Sequence, residues 1–277
     1  MKNIIIDIIA ILGVIILSSC GEKNKIQVEN EHQLNISIYL DLSDRLIRDI
    51  TPNQVYRDTA IINYIVDYFR SQTLGPTILK SRNKIKVLFY PTPNDSEIST
   101  LAQGLSVDIE SKQGVEKRKA LDMIKEIFQK NLAQIYGETL NENKWIGCDI
   151  WDFFSSKKVD NFCIKDGARN ILVILTDGYI FAENNKIKEN NSFSFILPQT
   201  LMIEGSSLID KRKGELKNKG LEVLMLEINP YQRDQRDKMV NVLENWFASM
   251  GVEKFVVAET DANLTNTQTI IKNFLEN

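Results

Sequence analysis

The sequence predicts an α/β domain: a doubly wound, mainly parallel sheet with helices on both faces. Three observations lead there. From Asn35 onward, short apolar runs alternate with longer amphipathic segments, the rhythm of strands joined by crossover helices. The run Ile171-Leu172-Val173-Ile174-Leu175 has no polar interruption, as a strand covered on both faces requires. No repeat, low-complexity tract or linker breaks residues 35–277, so one domain is the economical reading.

Taken in order, Ile36-Ser37-Ile38-Tyr39-Leu40 reads as the first strand, ending at Asp41. Residues 53–71 place Val55, Ile61, Ile62, Ile65, Val66 and Phe69 on one helical face. Residues 84–90 read as a second strand, stopped by Pro91-Thr92-Pro93. Residues 94–115 carry apolar positions too scattered for either period and read as irregular. Leu121, Ile124, Ile127, Phe128, Leu132 and Ile135 predict a helix over 116–136, and residues 149–156 a short one. Trp145, Trp151, Phe153 and Phe154 flank the loop at Gly147 and read as packing for that short helix. Beyond the central strand, Phe181 to Gln199 reads as an insertion able to form a small hairpin. Residues 206–219 read as a lysine-rich helix ending at Gly220, with Lys211-Arg212-Lys213 on a solvated face or against a membrane surface. A strand at 221–228, a helix at 231–250 closed by Gly251, a strand at 254–258 and a helix at 263–275 complete the alternation.

The first residues have another character. Lys2 and Asn3 precede a strongly apolar stretch from Ile4 to Leu17, followed by Ser18-Ser19-Cys20-Gly21. A positive start, an apolar segment and small residues before a cleavage point are those of a secretory signal over residues 1–19. The uninterrupted part, Ile8 to Leu17, is too short to cross a bilayer. Leu17-Ser18-Ser19-Cys20 resembles the bacterial lipobox, which implies lipidation of Cys20 and a lipid-anchored location in the cell envelope. An ordinary signal peptide ending in Cys, or a short buried helix, are the alternatives. Residues 20–34 are polar and aperiodic, suited to a tether.

With Cys20 lipidated, Cys148 and Cys163 are the thiols left for an oxidising compartment, where they pair only if geometry allows. The single histidine, His32, falls in the tether, which leaves no histidine for a Ser-His-Asp, Cys-His or histidine-zinc site in the domain. A net charge of −3 gives no electrostatic reason to expect a nucleic-acid partner.

Three polar clusters follow segments that a parallel sheet places at its carboxyl edge, where open α/β sheets bind ligands. They are Asp41-Leu42-Ser43-Asp44-Arg45, Gly147-Cys148-Asp149 and Thr176-Asp177-Gly178. Element order and these clusters resemble the von Willebrand factor type A (vWA) family and its metal-ion-dependent adhesion site, Asp-x-Ser-x-Ser with a later Thr and Asp. The resemblance spans roughly residues 35–275 and is most specific at Ile171–Gly178. It implies Mg²⁺ held by Asp41, Ser43 and Asp177, with Asp44, Arg45, Cys148, Asp149 and Thr176 as neighbours. Two positions depart from the pattern: Arg45 stands where the second serine belongs and Cys148 where the threonine belongs. A guanidinium cannot ligate a cation and a thiol suits a hard one poorly. Two neighbouring carboxylates still need a positive partner, and the sequence offers Mg²⁺ or Arg45. The alternative is that both aspartates merely cap the turns that follow them.

The expected function is therefore partner-protein binding by an anchored domain rather than catalysis. Two rivals stand beside it: a metal-dependent hydrolase and a structural envelope component with an inactive site. A phosphatase of the haloacid-dehalogenase type would need an acid where Ser43 stands.

Overall fold

The structure, a computed structural model, describes residues 33–141, 147–179, 186–189, 192–195 and 212–277. The signal segment, Cys20, His32, Trp145 and Lys211 lie outside the described residues. Eight strands are described: β1 (Gln33–Leu40), β2 (Lys84–Leu88), β3 (Ser106–Asp108), β4 (Ala168–Leu175), β5 (Lys186–Glu189), β6 (Ser192–Phe195), β7 (Leu221–Ile228) and β8 (Lys254–Glu259). The helices are α1 (Gln54–Thr73), α2 (Ser96–Gln103), α3 (Val115–Asn141), α4 (Ile150–Ser155), α5 (Lys158–Cys163), α6 (Arg236–Met250) and α7 (Leu264–Glu276).

The main sheet runs β3-β2-β1-β4-β7-β8, and every neighbouring pair is parallel except β2 with β3. That is the doubly wound α/β class the sequence predicts, with the strand order reversing between β1 and β4. Side chains alternate between the two faces and both faces are covered, which is why β4 is apolar from Ile171 to Leu175. Ile171, Val173 and Leu175 of β4 join a core with α1, α2, α3 and α7, while Leu172 and Ile174 join a second core with α4, α5 and α6. β1 does the same, with Ile36, Ile38 and Leu40 on the first face and Tyr39 on the second.

β7 contains the one irregularity that bears on the site. Its pairing with β8 slips between Met225 and Ile228, and Glu227 in the slip has φ 72°. A bulge of this kind inserts a residue and re-aims its side chain. Here Leu226 stays in the first core, Ile228 turns into the second, and Glu227 is freed to reach α1.

The structure corrects three expectations. Residues 94–115 contain α2 and the antiparallel edge strand β3, whose three residues are too short to show a period. Asp95 caps α2 by accepting from the amides of Glu97 and Ile98. Residues 212–219 are turns rather than the end of a helix, and the part of that segment before Arg212 lies outside the described residues. Arg212 is buried, paired with Asp160 at 2.6 Å and donating to the Phe154 carbonyl, so a charged run hid one structural arginine among exposed lysines. The expected insertion contains a hairpin, β5 with β6. Phe153 and Phe154 are buried as packing residues, and both Cys148 and Cys163 are buried and unbridged. Among the described residues no helix is long and apolar enough to cross a membrane.

Candidate functional site

β1 and β4 pair in register to their last residues, Leu40 opposite Leu175, so Asp41 and Thr176 leave the sheet side by side. Asp41 spends one oxygen on its own turn: Oδ1 accepts from the Ser43 amide at 2.8 Å. Its other oxygen faces across the strands, where the Thr176 hydroxyl donates to Oδ2 at 2.7 Å. Asp177 repeats the division, with Oδ1 accepting from the Tyr179 amide at 3.0 Å. The turn-capping reading thus describes half of each carboxylate. The other half belongs to a network.

Gly178 follows for a steric reason. Its φ is 95°, and a Cβ there would stand 2.4 Å from Met239 Sδ. The third cluster is drawn in by an isolated bridge between Leu42 and Gly147. Cys148 is then buried beside the threonine, its thiol 3.6 Å from Thr176 Oγ1. Burial first, and then the Asp41 charge, push that thiol well above its ordinary range, which keeps it neutral. Asp149 caps α4 by accepting from the Asp152 amide at 2.9 Å. Asp44, half-buried, receives the Tyr231 hydroxyl at 3.3 Å. All eight residues singled out around the edge therefore gather at the carboxyl ends of β1 and β4, with Asp44 half-buried and the other seven buried.

Arg45 is not the bridge between the two aspartates that its position suggested. Ser43 caps the short 3₁₀ turn Asp44–Ile47, and from it Arg45 turns back under the site. Its Nε donates to the Asp41 carbonyl at 3.0 Å and lies 3.5 Å from Asp41 Oδ2. Its two terminal nitrogens grip Asp58 on α1, at 2.7 and 3.3 Å. Asp58 also accepts from Gln54 at 2.9 Å and from the Tyr136 hydroxyl at 3.0 Å. One helical position earlier, Arg57 reaches the bulged Glu227 with Nε and Nη2, at 2.6 and 2.9 Å. Asp41, Asp58, Glu227, Arg45 and Arg57 are all buried. Burial pulls the Arg45 proton loose, but Asp58 and Asp41 outweigh it and bind it more tightly than in free arginine.

The cation that meets Asp177 is Arg48, three residues further along the turn. Its Nη2 lies 2.6 Å from Asp177 Oδ2, and Nη1 donates to the Asn229 carbonyl. The guanidinium lies over the Tyr231 ring at 3.7 Å, with Tyr179 at 5.7 Å, a cation–π arrangement. Arg48 is only 12% exposed, yet its neighbours Ile47 and Tyr231 are 65% and 67% exposed.

These donors do not fit a Mg²⁺ site. Three of the four oxygens of Asp41 and Asp177 accept hydrogen bonds, the fourth, Asp177 Oδ2, is ion-paired with Arg48, and a thiol stands where a hydroxyl is needed. A divalent ion 4 Å from one guanidinium would meet roughly 8 kcal/mol of repulsion at the effective dielectric of such a site.

Asp177 gives the site a pH dependence. Burial, and next the Asp41 charge, raise its carboxyl to about 7 against the pull of Arg48. An unfolded Asp titrates near 3.9, so between those values the folded chain binds more protons and this residue's contribution to stability falls as pH rises. Asp177→Asn removes that slope. In thermal melts the variant should gain on the wild type from pH 5 to about pH 7 and level off above it, and a constant difference across that range would refute the assignment.

No family model matches the chain, and no curated protein matches it. Solved structures with a similar course include the pilus adhesin SpaC from Lactobacillus rhamnosus GG in an open conformation, at 14% identity and TM-score 0.45 over 88% of this chain and 30% of that one. A second SpaC structure aligns at 13% identity and TM-score 0.44, over 88% of this chain and 31% of that one. The conserved hypothetical protein BatB from Bacteroides thetaiotaomicron aligns at 13% identity and TM-score 0.40, over 88% of this chain and 98% of that one. The chain thus spans about 30% of the adhesin's length. The fold class itself rests on strand order and register.

Proposed function

We propose that the chain is a lipid-anchored protein of a bacterial cell envelope whose vWA-like domain binds a partner protein at the carboxyl edge of its sheet. The observation that carries this reading is the surface formed by Ile47, Arg48 and Tyr231. Two large side chains stand exposed here, Tyr231 under the guanidinium that Asp177 and the Asn229 carbonyl hold and Ile47 next to Arg48 in the chain. Rigid aromatic and arginine groups are the usual anchors of protein interfaces, because they lose little side-chain entropy on binding. Ligands of open α/β sheets gather at this edge, which favours it over the amino ends of the strands. Cys20 supplies the anchor and the polar stretch before β1 gives the domain reach from the membrane; the expected tether of residues 20–34 is shorter by two, because Gln33 and Leu34 already pair in the sheet. The role is binding rather than catalysis.

The test is capture of partners from detergent-solubilised envelopes by the full-length lipoprotein. Wild type should retain a protein that Tyr231→Ala and Ile47→Asp both lose, with the melting temperature unchanged in Ile47→Asp and lowered only slightly in Tyr231→Ala, which gives up the ring under Arg48 and the bond to Asp44. Equal capture by all three would refute the surface. The anchor is tested separately: Cys20→Ser should take up no alkyne-labelled fatty acid, and label persisting in the variant would contradict the lipobox.

A further inference from the structure

We infer that this chain carries its counter-ions as side chains: Arg45 and Arg48 take the place that a divalent cation would hold between the carboxylates at the strand-order switch. The inference deepens the proposed binding reading by making the surface independent of metal, and it stands on three observations. First, each of the four buried carboxylates has a guanidinium beside it, three arginines serving four acids. Arg45 serves Asp41 and Asp58, Arg48 serves Asp177, and Arg57 serves Glu227. Second, the two arginines at the edge arise from one short turn, residues 44–48, which Ser43 caps and Asp41 closes. The cations are thus built into the loop that carries the first aspartate. Third, every carboxylate oxygen at the switch point is already engaged, Asp41 by Ser43 and Thr176, Asp177 by Tyr179 and Arg48. A guanidinium is charged at every accessible pH and cannot dissociate, so such a site is permanently loaded. It needs no ion from outside and does not respond to a chelator.

Mn²⁺ is the probe, because its spectrum in solution is lost on binding. Full-length chain in detergent should leave the free Mn²⁺ signal undiminished, and its melting temperature should agree in EDTA and in millimolar Mn²⁺. Arg45→Ser with Arg48→Ser strips the turn of both cations. The folded double variant should deplete free Mn²⁺ and melt several degrees higher with it, as expected when an ion binds only the folded state. If that variant fails to fold, Arg48→Gln leaves the Arg45–Asp58 pair intact and should show the same gain at smaller size. Saturable Mn²⁺ binding by the wild type, abolished by Asp177→Asn, would overturn the inference. So would a folded arginine variant that ignores Mn²⁺, since the guanidinium groups would then not stand in a cation position. Neither result depends on partner capture, so loss of the binding reading leaves these outcomes intact.

Discussion

Asp58→Ala should destabilise the domain by about 3–5 kcal/mol, the usual cost of stranding one member of a buried ion pair. For a domain of this size each kcal/mol is worth about 2–4 °C, so the melting temperature should fall by roughly 6–20 °C. Asp58 is the residue on which the network turns. It holds Arg45 with two contacts, takes a bond from Gln54 and another from Tyr136 on α3, and is fully buried. Burial pushes its carboxyl upward while Arg45 and Gln54 pull it back, so the charge stays in place only while those partners remain. Without it, Arg45 keeps a single carboxylate neighbour, Asp41, and Tyr136 loses the acceptor for its hydroxyl. The loss should come from the stranded charge and not from the missing volume. Replacing both partners, Asp58→Leu with Arg45→Met, should therefore recover most of the stability, because well-packed apolar residues can substitute for a buried pair. A single variant that loses less than about 1 kcal/mol in urea titration would show the pair to be solvated.

Phe154→Ala should cost about 3–5 kcal/mol, through lost burial and the cavity left behind. Phe154 is the hub of the second core. It lies edge-on to Trp246 at 5.2 Å and to Phe153 at 5.9 Å, with Phe247 at 5.7 Å, and its carbonyl receives Arg212. These contacts fix α4, and α4 fixes Asp149 and Cys148 at the edge of the site. The variant should accordingly combine a lower melting temperature with faster labelling of Cys148 by a thiol reagent. Phe162→Ala makes the comparison, since that ring is half-exposed and should cost far less. Equal losses from the two would contradict the packing described.

Much of this architecture was legible in the residues because burial on two faces writes itself plainly. β4 and β7 are apolar on both faces, and β7 runs over the residues its apolar pattern marks. The long helix was visible too, though α3 extends to Asn141 on a polar last turn that no period could reveal. The site was half legible. Asp41, Ser43, Thr176 and Asp177 were marked by their places after strands, and the structure brings them together. Arg48, Asp58, Arg57 and Glu227 were missed. Their signal was present in α1, where Gln54, Arg57 and Asp58 continue the spacing of Ile61, Ile62 and Ile65. Charged residues on a core-facing stripe need buried partners. The partner Glu227 was hidden because a bulge, which has no sequence period, turns it out of its strand's alternation.

The central claim is that the surface around Arg48 is where a partner binds. Site-specific photo-crosslinking of the full-length chain in intact envelopes tests it most directly, with a crosslinking phenylalanine analogue placed at Tyr231, at Ile47 or at Phe162. Phe162 lies at the amino ends of the strands, next to Cys163, whose carbonyl receives Asn35. The proposed binding predicts one discrete adduct, shared by positions 231 and 47 and absent at 162. An adduct at Phe162 with none at Tyr231 and Ile47 would contradict it.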